Sequence, residues 1–287
     1  GVVLGALLLQ DYSDAARFLR VGVLAGFIVS LSTLACVWGV APVALHCQRP
    51  QRQAGTTRRL LGRVRSNGRF LRVIALYLLL WCGLQLMQTS ALVYLPVVLR
   101  LPQSWSNWIL LPFIISTLVG LWVWNAVSQR SGRVHALRLG SGLWISGCAL
   151  ALVLPPLDPA ISPFGSLGNG LRLALVLITI VLAGLGASTA YLIPWSLLPD
   201  AIDADPEKPA GQYCAWMVLG QKLCISLALL LFGNLLSLSG YQAALLSDQP
   251  ASALVAIRLS MGVIPATLVV LGLVVMRRWP HRSVQPS

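Results

Sequence analysis

The sequence predicts an all-α polytopic membrane protein, and three observations carry that prediction. Apolar residues make up 57% of the 287 and charged residues only 10%, with a mean hydropathy of +0.79. A soluble domain is about 25% charged, and a disordered chain is poor in apolar residues, so both classes are excluded. Seven stretches, approximately 16–42, 70–98, 107–128, 139–156, 170–196, 213–237 and 252–276, are long and apolar enough to be helices crossing roughly 30 Å of hydrocarbon. Lastly, the basic residues fall mostly to one side of those spans.

The chain opens at Gly1, inside an apolar run that ends at Leu9. Nine residues rising 1.5 Å each reach about half way across a bilayer. No basic n-region precedes the run, so it reads as the end of a helix whose start is missing and not as a signal peptide. Connections between spans are short. Leu101-Pro102, Pro155-Pro156, Pro206, Pro209 and Gly240 mark them. Only 43–69 is long, rich in Arg, Gln and Gly, and without apolar period. Non-helical backbone is confined to such connections, because hydrocarbon offers no partner for free N–H and C=O groups. Within the fifth span, Pro194 is expected to break the helix near its inner end.

The net charge of +13 would suggest nucleic acid in a soluble protein. Here it reads as orientation. With seven alternating spans, fifteen basic residues share one side: Arg49, Arg52, Arg58, Arg59, Arg63, Arg65, Arg69, Arg72, Arg130, Arg133, Arg138, Lys208, Arg277, Arg278 and Arg282. The other side holds Arg17, Arg20, Arg100 and Arg172. The positive-inside rule makes the long loop and C-terminus cytoplasmic in an inner, or plasma, membrane. A solvated loop near anionic lipid explains its arginines without nucleic acid.

Lys222 and Arg258 remain inside spans. Lys222 lies near mid-depth, where a lysine costs roughly 2.5–3.5 kcal/mol on insertion scales. It is expected to face a polar cavity or an acidic partner, with Ser226 one turn away on the same face. Arg258 either snorkels outward or bonds a neighbouring helix, and the structural role is favoured. In the second span Tyr77, Trp81, Gln85 and Gln88 fall within about 80° of arc at 100° per residue. Aromatic faces beside amides suit a sugar, although helix packing explains the same stripe. The fifth span repeats the pattern with Gly184, Ser188, Tyr191 and Trp195, where the small residues would admit another helix closely. Asp200, Asp203, Asp205 and Glu207 form an acidic inner loop. Pro206 occupies the place where a calcium loop needs its turning glycine. Asp200 or Asp203 is instead expected to pair with arginines around Arg130 and Arg133, latching a gate, with a merely solvated loop as the equal alternative. The cysteines, Cys36, Cys47, Cys82, Cys148, Cys214 and Cys224, show no C-x-x-C spacing, so neither disulfide nor metal is expected. No catalytic motif is present, and the reading is not that of an enzyme or a cofactor protein.

The run from Tyr191 through Pro194, Trp195, Pro199 and Asp200 to Asp203 resembles the tenth-helix motif of the glycoside–pentoside–hexuronide:cation symporters, the melibiose permease-like branch of the major facilitator superfamily. The vertebrate sodium-dependent lysophospholipid symporters share that motif. Three further stretches agree in order. Gly68-Arg69-Phe70 followed by Tyr77, Trp81 and Gln85 is similar to the start of helix seven, although the family's usual Arg-Pro-Phe is altered. Gly220-Gln221-Lys222 and Gly240-Tyr241 resemble helix eleven. Ile257-Arg258, Ile264-Pro265-Ala266 and Arg277-Arg278-Trp279-Pro280 resemble helix twelve. Ser131-Gly132-Arg133 resembles the superfamily's short basic inter-helix turn.

The resemblance implies a partial fold of seven full transmembrane helices plus a half-helix stub. Residues 1–42 would be the end of helix five and helix six, 43–69 the cytoplasmic inter-half loop, 70–276 the C-terminal six-helix half, and 277–287 a cytoplasmic tail. It further implies a cation-coupled carrier of sugars or glycosides in the lipid bilayer, working by alternating access. The coupling Na+ or H+ would be bound mainly by missing N-terminal helices of the same carrier, beside Lys222. Tyr77, Trp81, Gln85, Gln88, Tyr191 and Trp195 would meet substrate, and Asp200, Asp203, Arg130 and Arg133 would gate. A lysolipid or other amphipathic substrate is the alternative within the family. A transport-inactive truncated protein is the alternative outside it.

Overall fold

A computed structural model describes residues 15–46, 62, 65–101, 103–157, 166–206, 210–242, 245, 248–277 and 279. The expected stub at 1–9, most of the 43–69 connection, Lys208 and the tail past Arg277 other than Trp279 lie outside the described residues. All regular structure among the described residues is helical. Seven segments are long and apolar enough to cross a membrane.

The chain divides into two units, 1–60 and 61–287. The first contributes α1, Ala15–His46, whose span Gly22–Val40 is exposed along its length. Its hydroxyls are satisfied locally. Ser32 and Thr33 both donate to the Val29 carbonyl, at 2.9 and 2.8 Å, which removes their polarity from the helix surface.

The second unit is a bundle of α2 (Gly68–Val93), α3 (Gln103–Ser131), α4 (Arg133–Val153), α5 (Leu167–Ile202), α6 (Ala210–Leu238), α7 (Ala251–Met261) and α8 (Val263–Met276). Two apolar clusters hold it together. One gathers Phe70, Leu76, Leu80, Trp144, Ile193, Leu197 and Met217. The other gathers Tyr94, Leu99, Leu157, Leu173, Val176 and Ile257.

Small residues set the helix approaches, because apolar lipid supplies no hydrophobic force between helices and packing must do so. A Cβ on Gly184 would stand 2.8 Å from the Phe113 carbonyl of α3. On the opposite flank, a Cβ on Gly186 would stand 2.4 Å from the Trp144 backbone nitrogen of α4. α5 is thereby wedged between α3 and α4, the close approach that the Gly184–Ser188 spacing predicts.

One expectation is corrected, and one span carries an interruption. α5 does not break at Pro194 but continues through Pro194 and Pro199 to Ile202. A proline removes one backbone bond, yet a broken helix would expose several more, and the flanking α3 and α4 hold this one in place. The last span remains one membrane-length segment, Ala251–Met276, with a one-residue interruption of its helix at Gly262. Pro265 has no N–H for the Met261 carbonyl, so that one bond is missing, while Gly262 still donates to the Arg258 carbonyl at 2.9 Å and Ala266 to the Gly262 carbonyl at 3.1 Å. A third local departure follows α2. Residues Tyr94–Val98, which include Pro96, form a π-helical turn.

Candidate functional site

The two aromatic stripes read from the sequence meet. Tyr77 and Trp81 of α2 interlock with Tyr191 and Trp195 of α5. Ring centroids are 5.7 Å apart for Tyr77–Trp81, 5.8 Å for Tyr77–Trp195 and 5.1 Å for Trp81–Tyr191. The last two pairs are edge-to-face, the arrangement favoured by ring quadrupoles. Tyr77 is fully buried at the root of the quartet, and Trp195 is 37% exposed at its rim.

Polar groups around the quartet are nearly all accounted for. Trp195 lies near the Tyr77 hydroxyl, and Gln88 near that of Tyr191. The Gln85 amide donates along its own helix to Thr89 Oγ1 at 3.4 Å. The Trp81 indole is the exception. Its Nε1–H is buried and has no partner among the described residues. Such a donor costs about 1–3 kcal/mol until an acceptor arrives. Gln88 also lines a small apolar cavity of about 50 Å³ with Met87, Phe113, Cys148, Thr179 and Met261.

Lys222 lies on the exposed face of α6 between Leu219 and Leu223. Among the described residues it has no ion-pair partner. Ser226 donates to its backbone carbonyl at 3.1 Å and does not reach its ammonium.

At the arginine-rich end of the bundle, Arg133 Nη1 meets Asp200 Oδ2 at 2.8 Å, with side chains 41% and 24% exposed. The pair ties the first turn of α4 to the last turn of α5. A cation at a helix start and an anion at a helix end each oppose the helix dipole, so pairing offsets two local penalties. Gly132 makes the tight turn into α4 with φ of 90°, a conformation open to glycine. Arg130 is exposed, and Asp203 caps α5.

Sequence reasoning missed a knot at this same end. Asn67 accepts from the Phe70 N–H at 3.0 Å, donates to the Ala201 carbonyl at 2.8 Å and donates to the Tyr213 hydroxyl at 3.1 Å. Tyr213 in turn donates to Asp205 at 2.7 Å. One side chain therefore caps α2 and joins it to the end of α5 and the start of α6. Asn67-Gly68 before an apolar span was the available signal, since Asn is a preferred N-cap.

Arg258 bonds the Leu152 carbonyl and, at 3.3 Å, the Leu154 carbonyl. Tyr94 bonds the Ala151 carbonyl. Both side chains thus cover the end of α4, where helical carbonyls lack partners.

Residues 2–282 match the family described as MFS/sugar transport protein. An uncharacterized symporter of Synechocystis is 36% identical over 225 residues, which cover 75% of this chain and 38% of that protein. Sodium-dependent lysophosphatidylcholine symporter 1 of Gallus gallus is 24% identical over 76% of this chain and 39% of its own length. A sphingosine-1-phosphate transporter of Xenopus tropicalis is 22% identical over 74% of this chain and 39% of its own length. The chain spans about two fifths of the length of the curated relatives it matches.

Proposed function

The chain belongs to the MFS/sugar transport protein family, and on that premise we propose that it forms one wall of a cation-coupled secondary transporter for sugars or glycosides. The observation that carries this reading is the unpartnered Trp81 indole N–H inside an aromatic quartet flanked by amides. Aromatic faces stack on the C–H face of a sugar ring, and the indole donor meets a hydroxyl oxygen. Nonpolar solutes would leave that donor unsatisfied.

Transport would proceed by alternating access, with two halves rocking about a site near the membrane midplane. Tyr77, Trp81, Gln85, Gln88, Tyr191 and Trp195 contact substrate in this proposal. Lys222 faces carboxylates contributed by other helices of the whole protein. Na+ or H+ neutralises those carboxylates and biases which side opens. The Arg133–Asp200 pair, with Arg130 and Asp203 beside it, latches one end, which the positive-inside rule makes cytoplasmic in the plasma membrane.

A lysolipid is the second reading. Support comes from the relatives named as lysophosphatidylcholine symporters, 23–25% identical among those compared. A competition panel of sugars, glycosides and lysolipids against uptake by the full-length carrier separates the two. Competition by sugars or glycosides supports the first reading. Competition by lysolipids alone ends it.

A further inference from the structure

The sequence gives no reason to expect a disulfide between Cys82 and Cys224, but α2 and α6 bring their side chains to neighbouring positions. The approach is prepared one turn earlier. A Cβ on Gly220 of α6 would stand 3.0 Å from Leu78 Cδ2 and 3.8 Å from Ile74 Cδ1 of α2, so the glycine lets the two helices close up. One turn further along, Cys224 donates its thiol to the Leu78 carbonyl at 3.2 Å. In a helix that carbonyl also receives the N–H of Cys82, four residues on. The Cys224 sulfur is thus delivered to the turn that carries Cys82, which makes the two side chains neighbours across the helix pair. Both are partly exposed, whereas Cys148 is buried. Cys214 lies ten residues from Cys224 on α6, about 15 Å along the axis.

We propose that Cys82 and Cys224 form a redox-active dithiol that a peroxide-class oxidant closes into an interhelical disulfide and a thiol reductant reopens. One thiolate attacks a peroxide oxygen, breaking the O–O bond and releasing water after protonation, and becomes a sulfenic acid. The second thiolate attacks that sulfur, forming the S–S bond and expelling the hydroxyl as a second water. Two protons and two electrons leave the thiols, and peroxide is reduced to two waters. A disulfide needs its sulfurs at about 2.05 Å, and thiols brought to the same turn would reach that by side-chain rotation. The closed bond would fasten α2 to α6 one residue from Trp81 and two from Lys222, beside the proposed substrate wall.

The test is covalent and does not depend on transport. In detergent, a variant of the chain with Cys36, Cys47, Cys148 and Cys214 each changed to Ser is exposed to hydrogen peroxide and then to N-ethylmaleimide. The expected product is a monomer that takes up no maleimide and takes up two after dithiothreitol. Adding Cys82→Ser or Cys224→Ser abolishes that protection. Peptide mapping of the unaltered chain provides the second measurement, and a Cys82–Cys224 cross-linked peptide, about 2 Da lighter than its two halves, is expected. Two maleimides taken up after peroxide, protection seen only in intermolecular dimers, or a different pairing in the map would overturn the proposal.

Discussion

A buried donor with nothing to donate to is uncommon in a folded protein, and among the described residues Trp81 supplies one in the middle of an aromatic cluster. Trp81→Phe keeps a ring for Tyr77 and Tyr191 to pack on and removes only the N–H. If a substrate oxygen accepts from it, apparent substrate affinity of the full-length carrier falls about 2- to 10-fold, the worth of one neutral hydrogen bond. Thermal stability is expected to hold or rise, because the orphan disappears. Unchanged affinity in a competition assay would remove Trp81 from the site. Lys222 is tested differently, since it carries a full charge with no ion-pair partner among the described residues. In the full-length carrier, Lys222→Ala is expected to abolish the dependence of uptake on the cation gradient. Lys222→Arg, which keeps the charge but is larger and planar, retains part of it. If both variants keep full coupling and substrate affinity, the lysine is structural.

Helix contacts are the next level of organisation, and α5 shows how tightly they constrain single residues. Gly186→Ala places a methyl carbon 2.4 Å from the Trp144 nitrogen and 2.6 Å from its Cα. Backbone cannot yield as a flexible side chain does, so α4 and α5 must separate. Overpacking of this kind costs about 1–3 kcal/mol. Gly168→Ala, in the first turn of the same helix with nothing within 4 Å, is expected to be neutral. Parallel thermal melts in detergent check the contrast, and equal midpoints would contradict the packing described. The features readable in the sequence were those written at helical period. Residues at 100° spacing declare a face whatever that face meets, so the stripes at Tyr77–Gln88 and Gly184–Trp195 were visible before their contact was. The Asn67 knot was not visible, because its partners Ala201 and Tyr213 lie 134 and 146 residues away. Prolines were an uneven guide. Pro194 was expected to break a helix that its neighbours hold continuous, while Pro265 removes one bond beside the interruption at Gly262 inside a single span.

Taken as a bundle, the second unit has its own apolar clusters and presents Lys222 and the rim of the aromatic quartet at its surface. On the proposed reading, such a wall would bind substrate but would not alternate by itself. Rocking needs a second half to close against, and a coupling cation needs carboxylates, whereas none of the described span interiors places one beside Lys222. The relatives are about two and a half times as long as the segment matched, which covers 38–39% of their length. The expectation is therefore that this chain, reconstituted alone in vesicles, shows no uptake driven by a Na+ or H+ gradient. A longer carrier containing it is expected to show such uptake under the same conditions. Arg133→Ala in that carrier breaks the link to Asp200. Because the pair is partly exposed, it is worth no more than about 1 kcal/mol, a shift of about 5-fold in the balance between the two access states and not a loss of fold. Accessibility labelling from each side of the membrane reads that shift. Robust gradient-driven uptake by the 287-residue chain alone would show that it holds a complete pathway and would overturn the single-wall reading.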